Sequence, residues 1–236
     1  MENILQHIQS SRTQSLAVLI DPDKFNLKKS SQFIDKVNKS LATHIFIGGS
    51  RVEDKITEAL ILAIKPLTNL PIVLFPGDAS QVSNQADALL FLSLVSGRNP
   101  EYLIGQQIKA VSKLRNSDLE VIPTGYILIE GGKETATQQV SNTKPLSAFQ
   151  EIIDTAKAAE LLGMKLIYLE AGSGAQFAVS EKIIKAVKDE INIPLIVGGG
   201  IRSKDALEKA YNSGANLVVI GTAFEEDESF FNEIKR

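Results

Sequence analysis

The amino-acid sequence predicts a (β/α)8 barrel, and three observations carry that reading. Short apolar runs alternate with stretches of helical periodicity along the whole chain, and 236 residues shared among eight strand–helix units gives about 30 each, as such a barrel needs. The runs are continuously apolar instead of alternating with polar residues, as expected of parallel strands buried on both faces. The last three end in glycine-rich turns ahead of helix starts, and in barrels of this kind the loops after strands 7 and 8 form the usual phosphate site. A single domain over residues 1–236 is the economical expectation.

Ser15 to Ile20 is the first apolar run, closed by the polar turn Asp21-Pro22-Asp23-Lys24, with a helix expected over Lys29 to Ser40. Thr43 to Ile47 is the second strand and ends in Gly48-Gly49-Ser50; Ile56, Leu60 and Ile64 keep helical spacing in the segment Glu53 to Ile64. Pro71 to Phe75 is the third. Only Ala79 to Ala88 separates it from the fourth strand, Leu89 to Leu94, too little for a full helix and two loops. The third helix is therefore expected to be irregular or missing, leaving a side groove that a long apolar ligand could enter. Asn99 to Leu114 forms the fourth helix, with Leu103, Ile104, Ile108, Val111 and Leu114 on one face.

The fifth strand, from Glu120 to about Ile129, is long, and Pro123 and Gly125 inside it predict a bend or bulge. The polar insertion Glu130 to Lys144 reads as a loop at the rim that could serve as a lid. Ser147 to Leu162 is helical. Three strands follow, Leu166 to Leu169, Pro194 to Val197 and Leu217 to Ile220, with helices expected over Ser180 to Glu190, Ser203 to Asn212 and from Ala223 onward.

Composition removes several function classes. The net charge of −3, with acidic and basic residues interleaved, lacks the basic footprint of a nucleic-acid binder. The absence of cysteine excludes disulfides, thiolate metal sites and cysteine nucleophiles, and His7 and His44 have no metal-ligand spacing. Met1 to Gln14 is polar, and no apolar run reaches the ~18 residues of a membrane span, so a soluble, cytoplasmic protein is expected.

The functional signal lies in three strand ends: Tyr168-Leu169-Glu170-Ala171-Gly172-Ser173-Gly174, Val197-Gly198-Gly199-Gly200 and Ile220-Gly221-Thr222. Glycine removes the Cβ that would hold a ligand off the backbone N–H groups, and three such ends beside helix N-termini form an anion-binding nest. On the residues alone, other phosphate-binding barrel enzymes and a non-catalytic phosphometabolite sensor stay open. A Schiff-base aldolase is disfavoured because Lys165, at a strand's N-terminal edge, is the one lysine within the strand segments.

Taken in register, Leu19-Ile20-Asp21-Pro22-Asp23-Lys24, Ile47-Gly48-Gly49-Ser50, Tyr168 to Gly174 and Val197-Gly198-Gly199-Gly200-Ile201 resemble the geranylgeranylglyceryl phosphate synthases and the related heptaprenylglyceryl phosphate synthases, nearly end to end. The Asp-Pro-Asp-Lys turn, Leu94 to Pro100 and Pro123-Thr124-Gly125-Tyr126 are more similar to the archaeal-type group. Leu19 stands where the heptaprenyl group carries a lysine.

The resemblance implies transfer of a prenyl group, geranylgeranyl in the first instance, from its diphosphate to the 3-hydroxyl of sn-glycerol 1-phosphate, with Mg²⁺ as cofactor. It implies a homo-oligomer, dimer or hexamer. By the same resemblance, Asp21 and Ser50 would hold the metal and Glu170 would act on the glycerol hydroxyl. Tyr168, Leu169, Ala171, Gly172, Ser173, Gly174, Gly198, Gly199, Gly221 and Thr222 would line the glycerol phosphate subsite. Tyr126 and Phe177 could flank the prenyl chain.

Overall fold

Strands Ser15–Ile20 (β1), His44–Ile47 (β2), Ile72–Leu74 (β3), Ala88–Leu94 (β4), Glu120–Leu128 (β5), Leu166–Glu170 (β6), Leu195–Gly198 (β7) and Leu217–Ile220 (β8) pair in parallel, each with the next, in the computed structural model. The pairs Leu16↔Val218 and Ala17↔Val219 join β8 to β1 and close the barrel. The structure describes residues 3–10, 14–50, 52, 53 and 55–235. Part of the polar N-terminal stretch (residues 1, 2 and 11–13) and Asp54 of the expected second helix lie outside the described residues.

Helices Ile4–Ser10 (α1), Ser30–Asn38 (α2), Ile56–Ile64 (α3), Gln106–Leu114 (α4), Ala136–Ser141 (α5), Phe149–Leu161 (α6), Glu181–Glu190 (α7), Lys204–Asn212 (α8) and Thr222–Glu226 (α9) accompany the strands. Serine sets where two of them begin: the Ser180 side chain accepts from Ile183 N–H and that of Ser203 from Ala206 N–H, caps worth about 1 kcal/mol each.

Side chains alternate across each strand with period two, and this divides the core. Ala17, Phe46, Val73, Leu90, Ile122, Leu166, Tyr168, Ile196 and Val219 fill the barrel. Leu16, Val18, Ile45, Ile47, Ile167, Leu169, Val197 and Val218 pack outward in the layer shared with the helices.

The third unit has no α-helix, as its short spacing requires; a single 3₁₀ turn, Ala79–Gln81, stands in its place. Two other expectations are corrected. β5 is not bulged: its register runs unbroken from Ala88↔Glu120 to Leu94↔Tyr126 on one side and from Thr124↔Leu166 to Leu128↔Glu170 on the other. Gly125 serves packing, because a Cβ there would lie 2.9 Å from Ala159 Cβ of α6 and 3.0 Å from Ile167 Cδ1.

The apolar face of the fourth helix packs inward only in part, with Leu114 against the core. Glu101–Gly105 is a π-helical turn ahead of α4, and its wider winding rotates the face that follows. Ile104, Ile108 and Val111 are left 55%, 65% and 41% exposed, while Gln107 and Ala110 are buried instead.

The floor of the barrel is sealed by α1. Ile4 and Ile8 enter the inner core, and the N–H groups of Ile4 and Leu5 donate to the Glu120 carboxylate at 2.6 and 2.9 Å. His7 and His44 meet here edge to face, 5.4 Å apart, at the end of the barrel away from the glycine turns. Burial, with a smaller contribution from His7, pushes the His44 pKa down to about 3, so this ring is neutral packing. Glu120 satisfies two N–H groups that a helix start cannot pair internally. Glu120→Ala should therefore cost about 1–2 kcal/mol. Urea titration should show a lower midpoint with unchanged slope, and an unshifted midpoint would remove Glu120 as the anchor of α1.

Candidate active site

The C-terminal ends of the strands open into two adjoining cavities. One, holding about 1210 Å³ of empty space, is polar and is lined by Asp21, Lys24, Ser50, Tyr168, Glu170, Ser173, Gly199, Arg202, Gly221 and Thr222. The other, about 770 Å³, lies in the gap left by the third helix and is bounded by Val82, Leu90, Leu92, Tyr102, Ala110 and Val140. The two share Gly49, Ser50, Phe75, Tyr126 and Thr137. A polar chamber therefore runs directly into an apolar one.

Glu170 organises the polar chamber. As the last residue of β6 it points inward, is 5% exposed, and accepts from Gly172 N–H at 2.6 Å. Burial raises its pKa from 4.5 to about 7, against the opposing effects of Gly172 N–H and Tyr168. The Tyr168 hydroxyl is buried beside it without a well-aligned hydrogen bond. Burial and then the Glu170 charge hold that hydroxyl well above its ordinary pKa, so it remains a proton donor. The Tyr168 ring stacks on Phe75 at 5.1 Å and meets Tyr126 edge-on at 5.3 Å, forming an aromatic floor under both chambers.

The glycines are dictated by close approach. A Cβ on Gly199 would lie 2.3 Å from Glu170 Oε1, and one on Gly198 2.5 Å from the Tyr168 hydroxyl. Gly172, Gly174, Gly199 and Gly200 have φ of 102°, 67°, 80° and 72°, a region that residues with side chains seldom enter. Thr222 ties the β6 and β8 loops together, with its hydroxyl accepting from Gly174 N–H at 3.2 Å and lying 3.4 Å from Ser173 Oγ. Leu169 and Ala171, also expected in the site, face the helix layer. Phe177 is 59% exposed and lines neither chamber.

Across the mouth, the Asp21 carboxylate occupies space that a Cβ on Gly49 would fill, since that atom would stand 2.7 Å from Asp21 Oδ1. Asp23 N–H donates to Asp21 Oδ1 at 3.2 Å, and Lys24 Nζ lies 3.2 Å from Asp21 Oδ2 and 3.3 Å from Glu225 Oε2. Burial lowers the Lys24 pKa, but Glu225 and Asp21 outweigh it and the net direction is upward, so the ammonium persists. Among the described residues no cluster of three or more His, Cys, Asp or Glu side chains could cage a metal. One carboxylate and one hydroxyl at an open mouth instead suit a hard cation that keeps its waters and takes further oxygens from a substrate.

The sequence reading missed residues that complete the mouth. Glu130 to Lys144 is not all loop: α5 lies within it, opened by a capping box in which the Thr135 hydroxyl accepts from Gln138 N–H and the Gln138 side chain reaches back to Thr135 N–H. Thr135-Ala136-Thr137-Gln138 is itself a capping-box signature and could have located the helix. Arg202, whose Nη1 donates to Ala175 O at 2.7 Å, follows the glycine turn after β7 and had no motif to signal it.

A closed barrel with glycine turns around a buried carboxylate, and an apolar chamber alongside, defines a phosphate-ligand enzyme of the (β/α)8 class with room for a hydrophobic co-substrate. The chain belongs to the PcrB family, which it matches over residues 8–236.

It is 56% identical over 215 residues to the geranylgeranylglyceryl phosphate synthase of Zunongwangia profunda, covering 90% of this chain and 92% of that one. It is 38% identical over 223 residues to the enzyme of that name from Korarchaeum cryptofilum, covering 94% and 91%. Among solved structures it is similar to (S)-3-O-geranylgeranylglyceryl phosphate synthase from Thermoplasma acidophilum in complex with sn-glycerol-1-phosphate, with a TM-score of 0.92, 30% identity and 99% and 96% of the two chains covered. A thiamine phosphate pyrophosphorylase from Pyrococcus furiosus, at 13% identity and a TM-score of 0.58 over 93% and 91% of the chains, shares the fold alone.

The raised pKa of Glu170 has a consequence for stability. Because the folded value lies above the ordinary one, the buried carboxyl is fully tolerated below about pH 4.5 and becomes costly as the pH rises through about 7. Glu170→Gln keeps an acceptor for Gly172 N–H and never ionises. At pH 8.5 it should be more stable than the wild type by on the order of 3 kcal/mol, and the two should converge at pH 4.5. Denaturant titrations at the two pH values check this; an identical difference at both would mean that Glu170 does not titrate as a buried acid.

Proposed function

We propose that the chain is a prenyltransferase that joins a prenyl group, geranylgeranyl in the first instance, to the 3-hydroxyl of sn-glycerol 1-phosphate as an ether and releases diphosphate. The observation that carries the reading is the junction of the two chambers: a polar phosphate nest with a buried carboxylate opens directly into an apolar cavity in the gap of the helical ring. The family and the names of its relatives support the same chemistry.

In this reading the phosphate rests on the Gly172 to Gly174, Gly198 to Gly200 and Gly221-Thr222 turns, and the Tyr168 hydroxyl, buried without a well-aligned partner, donates to the bound glycerol phosphate. Glu170 accepts the proton of the 3-hydroxyl as its oxygen attacks the allylic carbon, while the carbon–oxygen bond to diphosphate breaks and the electron pair leaves with the diphosphate. A pKa near 7 suits that task, since the carboxylate is partly ionised at neutral pH and more basic than an exposed one. Asp21 and Ser50 would hold Mg²⁺, which when bound supplies positive charge beside the departing diphosphate. The prenyl chain lies over Phe75 and Tyr126 in the apolar chamber.

No helix among the described residues is long and apolar enough to cross a membrane, in keeping with action from the aqueous cytoplasm on an amphiphilic product. Homo-oligomerisation is supported by the exposed Ile104, Ile108 and Val111 stripe, and light scattering of the purified chain tests it.

The deciding experiment offers labelled prenyl diphosphates of several lengths with either enantiomer of glycerol phosphate and extracts the product into butanol. Transfer to the 1-phosphate should exceed transfer to the 3-phosphate, because the nest and Glu170 fix opposite ends of the glycerol; equal rates, or no transfer, would overturn the reading. Asp21→Asn should lose most activity at ordinary Mg²⁺ with an unchanged melting curve, since an amide is a poor substitute for a carboxylate on a hard dication. Near-normal turnover would take Asp21 out of the site.

Gly199→Val should lower kcat as well as raise KM for glycerol phosphate, because the new side chain meets Glu170 before it meets the phosphate. The loss of one charged hydrogen bond, worth roughly 1.5–3 kcal/mol, sets the floor at about a 10-fold fall in kcat/KM. A folded variant with a normal kcat would refute the collision with Glu170.

A further inference from the structure

Three hydroxyls meet where the polar chamber opens into the apolar one. Thr137 Oγ1, on α5, lies 3.2 Å from Ser50 Oγ in the turn after β2, and the Tyr126 hydroxyl on β5 is within hydrogen-bonding reach of Thr137. All three residues line both chambers. The hydroxyl of Thr137 is not needed to make its helix. Thr135 caps the first turn, Asn99 Nδ2 holds the far end by donating to Ser141 O at 2.9 Å, and Ser141 Oγ donates to Thr137 O at 2.6 Å. The segment is fixed at both ends, and the Thr137 hydroxyl is left to face the cavities.

We infer that Thr137 is a positioning residue for the transfer step: its hydroxyl bridges Ser50 and Tyr126 at the boundary between the chambers and so fixes where the first carbon of an incoming prenyl group stops relative to Glu170. The inference rests on the prenyl-transfer reading. Thr137 need not touch the reacting atoms. It holds one hydroxyl on the side of the diphosphate and one on the side of the chain, and a shift of either displaces the carbon from the line of attack. Reacting atoms must come within about 3–3.5 Å in line, so a small displacement costs rate before it costs binding.

Thr137→Val keeps the shape and removes the bridge, whereas Thr137→Ser keeps the hydroxyl. With saturating Mg²⁺, Thr137→Val should lower kcat about tenfold or more and leave KM for glycerol phosphate within about twofold, and Thr137→Ser should recover to within about threefold of the wild type. Binding of an unreactive prenyl thiolodiphosphate, followed by calorimetry in EDTA, should change less than about threefold in either variant.

Tyr126→Phe removes the other end of the bridge and provides a second reading if the valine variant does not fold. Because both changes break one bridge, the double variant should be no slower than the slower single one. The inference is overturned by a folded Thr137→Val with a wild-type kcat, by a serine variant as slow as the valine one, or by fully additive losses in the double variant. A wild-type chain that transfers no prenyl group would instead overturn the reading beneath it.

Discussion

The mouth of this barrel is built around one costly interaction, the burial of the Glu170 carboxyl. A carboxylate removed from water needs compensation, and here it receives one backbone N–H at 2.6 Å and a tyrosine hydroxyl alongside. The compensation is incomplete, and burial leaves the carboxyl with a pKa raised to about 7. Nearby residues follow from the need to fit this group. Gly198 and Gly199 are glycine because Tyr168 and Glu170 occupy the space of a side chain, and Gly172 takes a positive φ as its N–H turns back to the carboxylate. What reads in the sequence as a phosphate nest is also a socket for an acid.

That double use explains how much of the molecule was legible in advance. The strands were visible because parallel burial demands unbroken apolar runs, and the missing third helix was visible as a simple shortage of residues between Phe75 and Leu89. Asp21, Ser50, Glu170 and Thr222 do gather at one mouth, as their places at strand ends implied. The side chains of Leu169, and of Ala171 just beyond β6, point to the helix layer, because period two turns alternate residues away from the mouth.

The fourth helix was misread for a different reason. The run Leu103 to Leu114 has good α-helical spacing, but a π-turn changes the phase of a helix without leaving a mark in the apolar pattern. Its inward positions are then occupied by Gln107 and Ala110, with Gln107 donating to Leu92 O of β4. Helix α5 escaped because composition outweighed a local signal: Thr and Gln suggest loop, while their order spells a capped first turn.

β5 gives this architecture a property of another kind. Its first residue, Glu120, anchors α1 under the barrel, and its seventh, Tyr126, lines both chambers at the top, so one stiff and unbulged strand spans from foundation to workshop. At about 3.3 Å per residue the two positions are some 20 Å apart, well beyond the reach of direct side-chain coupling. Along β5, anchoring and chemistry are thereby assigned to separate residues. An engineer could harden the underside around α1, His7 and His44 for heat or solvent tolerance without retuning the mouth.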